Sequence, residues 1–492
     1  MKALIERLSS WMQNPGSGLF ERVIHGGIWL TLLNIFDRLL QIVRLLVLAR
    51  LLSPVDFGLF GIVMVTVTMA NSLSRLGIES SLIQNKQENI SKYLNTAFVL
   101  NNFRSIATGL VLAISSPVIS DIFSEPSLVA LLRVISVYVI LEGLTNPAVV
   151  YFKKNIDFQK QFIYQLSGSV VDFVVAVFAA VTLGNVWAFV IAVISGRVVR
   201  VFLSYLLTDY FPSLQFECNA AIDMLSYGKW IWATGIVGIL AINFDDLFVG
   251  WYISASALGL YQLAYRLSNA PATEVSNVIS GVTFPAYSKI QDDKAMLEDA
   301  FYQTLRITFL TITPMSVGIL LVAKPFTNVL LGKDWISMVS AMQIMVVAGF
   351  SRAILSTGGA VFRGIGIPEW DFRMNFIRVV ITLGTIWPLT ELYGISGTSI
   401  SVSLGVLCAL PVWAYKTSEI TSMSPFQYLK TVSTPALATV TMSIPVIIII
   451  DSNLWNLVFS VISGVIVYIG VVIIGYKIEG DSPINKILSL SG

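Results

Sequence analysis

Long apolar runs alternate with short polar segments along almost the whole chain. A helix needs about 20 apolar residues to cross the hydrocarbon core of a bilayer, and the runs are close to that length. The pattern therefore predicts an all-α integral membrane protein with about fourteen transmembrane helices. These spans are expected near residues 24–49, 55–77, 93–117, 128–150, 161–183, 186–208, 229–253, 257–285, 300–323, 337–362, 374–390, 395–415, 431–450 and 455–476.

The loops between these spans differ sharply in their cations. Seventeen lysines and arginines fall in one alternating set of loops and the termini, whereas three fall in the other set, at Arg50, Lys324 and Lys333. Cytoplasmic loops carry the excess of Lys and Arg. Both termini are therefore expected in the cytoplasm, with the chain crossing the membrane many times. The loops are too short for a folded catalytic domain, so the function is expected inside the helical bundle.

The composition supports this class of protein and excludes several kinds of site. Hydrophobic residues make up 55% of the chain and charged residues 12%, with a mean hydropathy of +0.78. A soluble globular chain carries roughly twice that charged fraction. Cys218, Cys408 and His25 are the only cysteines and histidine, so we expect neither a disulfide framework nor a metal centre. No phosphate-binding GxxxxGKS/T loop occurs, and no cofactor or nucleic-acid partner is predicted.

The two halves of the chain resemble each other at an offset near 200 residues. Residues 51–60 align with 252–261, and Gly184 aligns with Gly394, each between two spans. Six spans separate the repeats, so the repeats have the same orientation, and two such lobes imply a central cavity with rocking, alternating access. The predicted parts are an interfacial N-terminal helix at 1–23, a six-helix lobe at 24–208, a cytoplasmic linker at 209–228, a second six-helix lobe at 229–415, and two extra helices with a cytoplasmic tail at 416–492.

Three segments carry a family resemblance: LARLLSPVDFGLFGI at 48–62, FPAYSKIQDD at 284–293 and LGKDW at 331–335. Together with the repeat, they resemble the polysaccharide transporters of the multidrug/oligosaccharidyl-lipid/polysaccharide exporter superfamily, and within it the Wzx-type flippases near the colanic-acid exporter branch. The resemblance implies a substrate class, an oligosaccharide linked to undecaprenyl pyrophosphate that is moved from the cytoplasmic to the outer leaflet. It also implies membrane lipids, a polysaccharide polymerase and chain-length machinery as partners, and it implies no particular sugar.

Arginine is the only cation inside the predicted spans. Eleven of the 31 lysines and arginines fall there, and all eleven are arginines, whereas lysines occur in loops or at a span end, as Lys229 does. A charge at membrane depth is costly and usually faces a polar interior, and a guanidinium group holds phosphate through a planar fork of donors. A bundle lined by such groups favours the transport of a large anion. The candidates for substrate binding are Arg38, Arg44, Arg104, Arg197, Arg266 and Arg352.

Four other arginines lie near the expected membrane faces. Arg75, Arg306 and Arg378 are close to the cytoplasmic ends of their spans, and Arg133 is close to an outer end. A long side chain at such a position can extend to the headgroups. We therefore expect these four residues at the bilayer surface rather than at the substrate.

The first span carries a polar stripe made of Asn34, Asp37, Arg38, Gln41 and Arg44. Their spacing puts them on one helix face, and lipid offers such groups no partners. The stripe is expected either to line the cavity, with Arg38 or Arg44 at the pyrophosphate, or to form a charge network that only holds helices together.

The repeat also predicts a gate. Asp245 occupies the position in the second repeat that corresponds to Arg44. Arg44 is therefore predicted to pair with Asp245 or Asp246 across the lobes and to release them when substrate phosphate or a proton competes. The alternative is a structural ion pair within one lobe.

Intramembrane acids are the candidates for a gate or for coupling to H⁺ or Na⁺. A buried carboxyl group can hold a proton at neutral pH, which favours Glu142 and Asp172 as proton carriers, and a neutralising arginine partner is the alternative. The acids assigned to a gate or to ion coupling are Asp37, Glu142, Asp172, Asp245 and Asp246.

Two other functions stay open from the sequence. An ion-coupled multidrug or other small-molecule exporter can have the same fold, but a cationic substrate needs acidic and aromatic walls, and the span arginines argue against it. A membrane-embedded polysaccharide polymerase or ligase belongs to a different class, and neither the repeat nor the short outward loops favour it. The sequence favours a transporter without catalytic residues.

Overall fold

The structure is a computed structural model that describes residues 19–74, 77–78, 81–82, 90–451 and 453–479. Within these ranges the chain is almost entirely helical and contains no strand. Most of the interfacial helix predicted at 1–23 lies outside the described residues, as does the end of the predicted cytoplasmic tail.

The described residues form a succession of helices, most of them long enough to cross a bilayer. In chain order they are α1 (Leu19–Leu51), α2 (Pro54–Ser74), α3 (Ile90–Phe123), α4 (Ser127–Gly143), the short α5 (Val150–Lys154), α6 (Phe158–Leu183), α7 (Trp187–Leu206), α8 (Cys218–Tyr252), α9 (Ala255–Lys289), α10 (Lys294–Phe326), α11 (Val339–Gly364), α12 (Glu369–Thr421), α13 (Pro425–Ile449) and α14 (Leu454–Glu479).

Nine helices in the described part of the chain are long and apolar enough to span a membrane. A further broken span is formed by α4 and the segment Pro147–Lys154, which meet at a bend of 69°. Helix α1, with its polar stripe, is not among the nine. The protein is thus a multi-pass helical membrane protein, as predicted, and the count of fourteen spans stays a prediction.

The chain divides into two compact units, of which the first ends at Ser256 and the second begins at Ala257. The first unit includes α8, which the repeat assigned to the second lobe. The predicted lobe boundaries and the central cavity stay predictions.

Two glycines form tight turns. Gly184 ends α6 with φ of 60°, and Gly394 divides α12 into two arms with φ of 58°. Only glycine adopts this left-handed conformation without a steric penalty. A Cβ atom on Gly397 would lie 1.8 Å from the Leu389 carbonyl oxygen, so the two arms approach this closely because Gly397 has no side chain. The prediction that Gly184 lies between two spans is confirmed. Gly394 lies at a kink inside a helix that counts as one candidate span, so its place between two spans stays a prediction.

Hydrogen bonds between hydroxyl groups connect the two arms of α12 on either side of the turn at Gly394. Thr390 and Thr398 are hydrogen-bonded at 2.8 Å, and so are Thr385 and Ser401. Ser401 also donates to the Thr382 carbonyl oxygen at 3.0 Å. In a membrane, such bonds between small polar residues hold helices together and leave few polar groups facing lipid.

The segment between α7 and α8 is anchored to α3. Asn95 of α3 is buried, and its side-chain oxygen accepts hydrogen bonds from the Tyr210 hydroxyl and, at 2.8 Å, from the Ser213 amide. The neighbouring Thr96 hydroxyl accepts from the Glu217 amide at 3.1 Å. Burial raises the pKa of Tyr210, so its hydroxyl stays protonated and donates at neutral pH. The first part of the predicted cytoplasmic linker is therefore held on the first unit.

Candidate functional site

Four arginines and two carboxylates form a row across five helices of the first unit. We call this row the charged belt. Its members are Arg44 of α1, Arg104 of α3, Glu142 of α4, Asp172 of α6, and Arg197 and Arg200 of α7. Asp37 of α1 also acts electrostatically on Asp172, so four positive groups face three carboxylates and the formal excess is one positive charge. Apart from Arg44, the belt residues lie on candidate spans, including the broken span of α4, where polar groups need one another as partners.

At one end of the belt, Glu142 is shared between two guanidinium groups. Its carboxylate oxygens lie 3.6 Å from Nη2 of Arg104 and 3.9 Å from Nη2 of Arg197. The Asn71 amide of α2 donates to the same carboxylate at 3.2 Å. Arg197 also donates to the Tyr138 hydroxyl and lies over its ring, 4.4 Å from the centroid. Arg197 is therefore fixed by Tyr138 as well as by Glu142.

At the other end, Asp172 pairs with Arg44. Nε of Arg44 lies 3.2 Å from Oδ2 of Asp172, and the guanidinium carbon is 5.8 Å from the centre of the Phe189 ring. Arg200 contributes a second positive charge near Asp172 and donates to the Ser169 hydroxyl at 3.1 Å. The sequence analysis gave two interpretations of Arg44, a gate across the lobes and a structural ion pair within one lobe. In the structure Arg44 forms an ion pair with Asp172, which belongs to the same unit.

Two glycines bring α6 and α7 close enough to build this end of the belt. A Cβ on Gly168 would lie 2.4 Å from Nε of Arg200. A Cβ on Gly196 would lie 2.7 Å from the Gly168 carbonyl oxygen and 3.0 Å from Cβ of Asp172. The helices therefore cross where both lack side chains, as small residues allow in membranes.

Arg200 is a belt residue that the sequence analysis left out of its candidates. It follows Arg197 by three residues, so the two share a face of α7. That spacing, together with Gly168 and Gly196, is the sequence signal that could have found it.

In the second unit, Arg352 of α11 is held by neutral groups. It donates to the Tyr265 hydroxyl and, at 3.3 Å, to the Asn269 side-chain oxygen, both on α9. Its guanidinium carbon lies 5.2 Å from the centre of the Tyr265 ring. Within the part of the chain that the structure describes, no carboxylate pairs with Arg352, and its buried Nε has no hydrogen-bond partner. The half-buried charge of Arg352 is therefore oriented but not neutralised.

The belt includes three of the six predicted cations, Arg44, Arg104 and Arg197, and two of the predicted acids, Glu142 and Asp172. Glu142 lies beside Arg104 and Arg197, and Asp172 lies beside Arg44. A neutralising arginine was the alternative to a proton-carrying role for both acids.

The other candidates are outside the belt as defined above, and of these Asp37 acts electrostatically on Asp172. Arg38 and Arg266 have exposed side chains, and Asp245 and Asp246 are half-buried on α8. Asp37 accepts a hydrogen bond from Gln41 at 2.6 Å. The gate between Arg44 and Asp245 or Asp246 stays a prediction, as do the roles of all these residues in binding and coupling.

Arg306 was expected at the headgroups, and that expectation is wrong. Its residue is only 2% exposed. Its guanidinium carbon lies 5.5 Å from the ring centre of Tyr302 and 4.8 Å from that of Tyr476. Tyr476 belongs to α14, so the last helix covers a position that would otherwise face the bilayer surface.

Known proteins agree with this fold. The chain is similar to the lipid II flippase MurJ in an inward closed conformation, with a TM-score of 0.75 at 15% identity over 92% of this chain and 100% of that one. It is also similar to an inward-facing multidrug resistance MATE family transporter of the MOP superfamily, with a TM-score of 0.63 at 17% identity over 78% of this chain and 95% of that one. These likenesses confirm the predicted all-α membrane fold.

Sequence relatives come from polysaccharide pathways. The chain is 26% identical over 395 residues to the lipopolysaccharide biosynthesis protein WzxC of Escherichia coli K12, covering 79% of this chain and 78% of that protein. It is 22% identical over 355 residues to the teichuronic acid biosynthesis protein TuaB of Bacillus subtilis 168, covering 72% and 73%. The resemblance predicted from the three motifs is thereby confirmed.

A family model described as "Polysaccharide biosynthesis protein" matches residues 47–340, which include the whole charged belt except Arg44. That match extends over more than half of the chain, and this protein therefore belongs to the polysaccharide biosynthesis protein family.

Proposed function

We propose that the protein is a flippase that moves oligosaccharides linked to undecaprenyl pyrophosphate from the cytoplasmic to the outer leaflet, for the synthesis of a surface polysaccharide. The observation that carries the proposal is the charged belt, which places an excess of positive charge on membrane-spanning helices. The relatives named for lipopolysaccharide and teichuronic acid biosynthesis, and the likeness to a lipid II flippase, support the same substrate class.

The charge of the belt suits a pyrophosphate diester. A cation at membrane depth is costly unless an anion neutralises it, and the nearby acids, Glu142, Asp172 and Asp37, are one fewer than the four arginines of the belt. A pyrophosphate that links a lipid to a sugar carries a negative charge on each phosphorus. The excess positive charge of the belt would attract it, and the guanidinium fork matches phosphate oxygens in geometry.

Arg352, in the second unit, is proposed separately as a cation that can bind a phosphate group. Tyr265 and Asn269 fix its position without cancelling its charge. A preoriented guanidinium group loses little conformational freedom when it binds an anion. Arg352 is therefore ready to hold a phosphate oxygen, and the exposed Arg38 and Arg266 are further proposed contacts.

The energetics allow transport in the outward direction. The cytoplasmic membrane is negative inside, so moving a pyrophosphate outward is not opposed by the potential. Coupling to H⁺ or Na⁺ through Asp37, Glu142, Asp172, Asp245 or Asp246 is proposed only for resetting the carrier between its inward-facing and outward-facing states.

The excess of lysine and arginine in alternate loops supports cytoplasmic termini. The relatives from Escherichia coli and Bacillus subtilis support a location in a bacterial cytoplasmic (inner) membrane. We propose a polysaccharide polymerase with its chain-length machinery as the system that takes up the flipped unit.

Proteoliposomes test the proposal. The purified full-length protein is reconstituted with a fluorescent undecaprenyl-pyrophosphate oligosaccharide, and the labelled lipid that becomes accessible on the opposite leaflet is measured over time. We expect wild-type protein to flip the lipid and Arg352→Ala to slow flipping by about tenfold or more. Arg133→Ala is the matched control, because Arg133 is an exposed span arginine outside the proposed site. Flipping by the wild type no faster than in protein-free vesicles would overturn the proposal.

A further inference from the structure

We infer that Glu142 is an internal competitor of the substrate phosphate. It neutralises Arg104 and Arg197 until a phosphate group takes its place, and it returns when the phosphate leaves. This inference rests on the proposed function and assigns the first phosphate contact to a particular pair of arginines.

The first support is the loose attachment of Glu142. Charge-assisted hydrogen bonds between arginine and carboxylate are about 2.7–2.9 Å long. The contacts of Glu142 with Arg104 and Arg197 are 3.6 Å and 3.9 Å, and its hydrogen bond from Asn71 is 3.2 Å. The carboxylate is therefore held mainly by charge and less by directed bonds, and a phosphate that offers shorter contacts can displace it.

The second support is the contrast with Asp172, the other acid of the belt. Asp172 lies 3.2 Å from Arg44, and its side chain is 17% exposed, against 27% for Glu142. The backbone of Gly196 packs against it, since a Cβ there would lie 3.0 Å from Cβ of Asp172. Asp172 is fixed at a helix crossing. Glu142 has a longer and more exposed side chain that can turn away.

The third support is that both arginines keep their positions without Glu142. Arg197 is bound by the Tyr138 hydroxyl and packs on its ring. Arg104 donates to two serine hydroxyls at 3.4 Å, one on α2 and one on its own helix. A phosphate that displaces Glu142 therefore meets two guanidinium groups that are already oriented, which reduces the cost of binding.

Exchange of the Glu142 carboxylate for a phosphate group would make the site selective for anionic lipids and would help to release the bound phosphate. A neutral glycolipid has no charge with which to replace Glu142, so it is rejected. A bound pyrophosphate is released more readily because Glu142 competes for the same arginines. Removing the charge of Glu142 should therefore strengthen binding and slow turnover.

The test compares Glu142→Gln with Asp172→Asn in full-length protein in lipid nanodiscs. The probe is undecaprenyl pyrophosphate, whose dissociation constant is measured by thermophoresis, and flipping of the labelled oligosaccharide lipid is measured in proteoliposomes. We expect Glu142→Gln to bind the probe about tenfold more tightly and to flip more slowly, because an anionic competitor is lost. We expect Asp172→Asn not to bind more tightly, because Asp172 does not occupy the phosphate position.

Each other outcome is decisive. If the wild type binds and flips but Glu142→Gln binds no more tightly, Glu142 is not a competitor and the proposed function stands. If Asp172→Asn bound undecaprenyl pyrophosphate as much more tightly as Glu142→Gln does, the net charge of the belt alone would control the affinity, which also overturns the inference. A wild type that neither binds nor flips overturns the proposed function itself. Should Glu142→Gln not fold, Glu142→Asp replaces it, since a shorter carboxylate reaches the arginines less well and should also tighten binding; unchanged binding there overturns the inference.

Discussion

Arg44 of α1 and Asp172 of α6 form an ion pair in which Nε and Oδ2 are 3.2 Å apart. Their side chains are 22% and 17% exposed, so most of each charge is shielded from solvent and lipid by neighbouring helices. Removing one member of a largely buried pair leaves the other without compensation. The pair therefore ties the first helix to the rest of its unit.

A charge exchange tests this partnership. Arg44→Glu should lower the stability of the protein by about 3 kcal/mol, because two carboxylates then face each other at membrane depth. Adding Asp172→Arg to the same chain should restore most of the loss, since an ion pair of reversed polarity can form. Thermal unfolding in detergent measures both changes.

The same variant also tests the predicted gate. Combining Arg44→Glu with Asp245→Arg should leave the protein unstable if Asp172 is the partner that matters. Rescue of flipping by Asp245→Arg, and not by Asp172→Arg, would contradict the structural pair and support a gate.

The geometry around Arg352 predicts that its shape matters as well as its charge. Arg352→Lys keeps the charge but loses the planar fork, so flipping should fall about tenfold. The fold should be little affected, because the partners of Arg352 are neutral. Tyr265→Phe keeps the ring and removes the hydroxyl that orients Arg352, and it should reduce flipping by a smaller factor. Flipping rates and thermal unfolding are measured together.

Arg306→Lys is the matched control for Arg352→Lys. Arg306 is a buried arginine that packs between Tyr302 and Tyr476, outside the proposed site. Its replacement should lower thermal stability and leave the flipping rate of the folded protein unchanged. Equal loss of flipping in the two lysine variants would remove Arg352 from the substrate site.

The close approach of the two arms of α12 predicts a large difference between two glycines. Gly397→Ala should destabilise the protein by about 2 kcal/mol, because the added methyl group collides with the Leu389 carbonyl. Gly384→Ala should be neutral or should stabilise by up to about 1 kcal/mol, since no atom lies within 4 Å of a Cβ at that position and alanine favours helix. Melting temperatures of the two variants check this, and similar values would contradict the packing described for the arms.

The anchored linker predicts a change in protease sensitivity. Asn95→Ala removes the acceptor that holds the segment before α8, so this segment should detach more often, and chymotrypsin should cut after Phe216 about tenfold faster. Asn102→Ala is the matched control on α3, because the hydrogen bond that Asn102 donates among the described residues stays within its own helix, to the Phe98 carbonyl. Equal cleavage rates in the two variants would show that Asn95 does not secure the linker.

Much of the fold could be predicted because membranes impose a simple rule on the chain. A span must be long and apolar, so hydropathy alone indicates a multi-pass helical protein. The turns at Gly184 and Gly394 were also predictable, because a short gap between two apolar runs requires a residue that tolerates positive φ. The three motifs were sufficient for the family.

Contacts between helices were less predictable. The repeat indicates which residues occupy equivalent positions in the two halves, but equivalent residues need not be in contact. It therefore predicted Asp245 as the partner of Arg44, whereas the structure has Asp172 beside Arg44. Span counting placed Arg306 near a membrane face but could not show that Tyr476 covers it. Arg200 was passed over because its position depends on a helix crossing at Gly168, which a hydropathy pattern does not reveal.

The paired hydroxyl groups of α12 bear on how the protein is made. A span with many serines and threonines is a poor candidate for entering lipid alone, because its polar groups would lack partners there. Here Thr385 and Thr390 find theirs on the neighbouring arm, one tight turn away in the chain. We therefore expect the ribosome to deliver both arms before either is released into the bilayer, and the pair to leave the translocon as one preassembled hairpin.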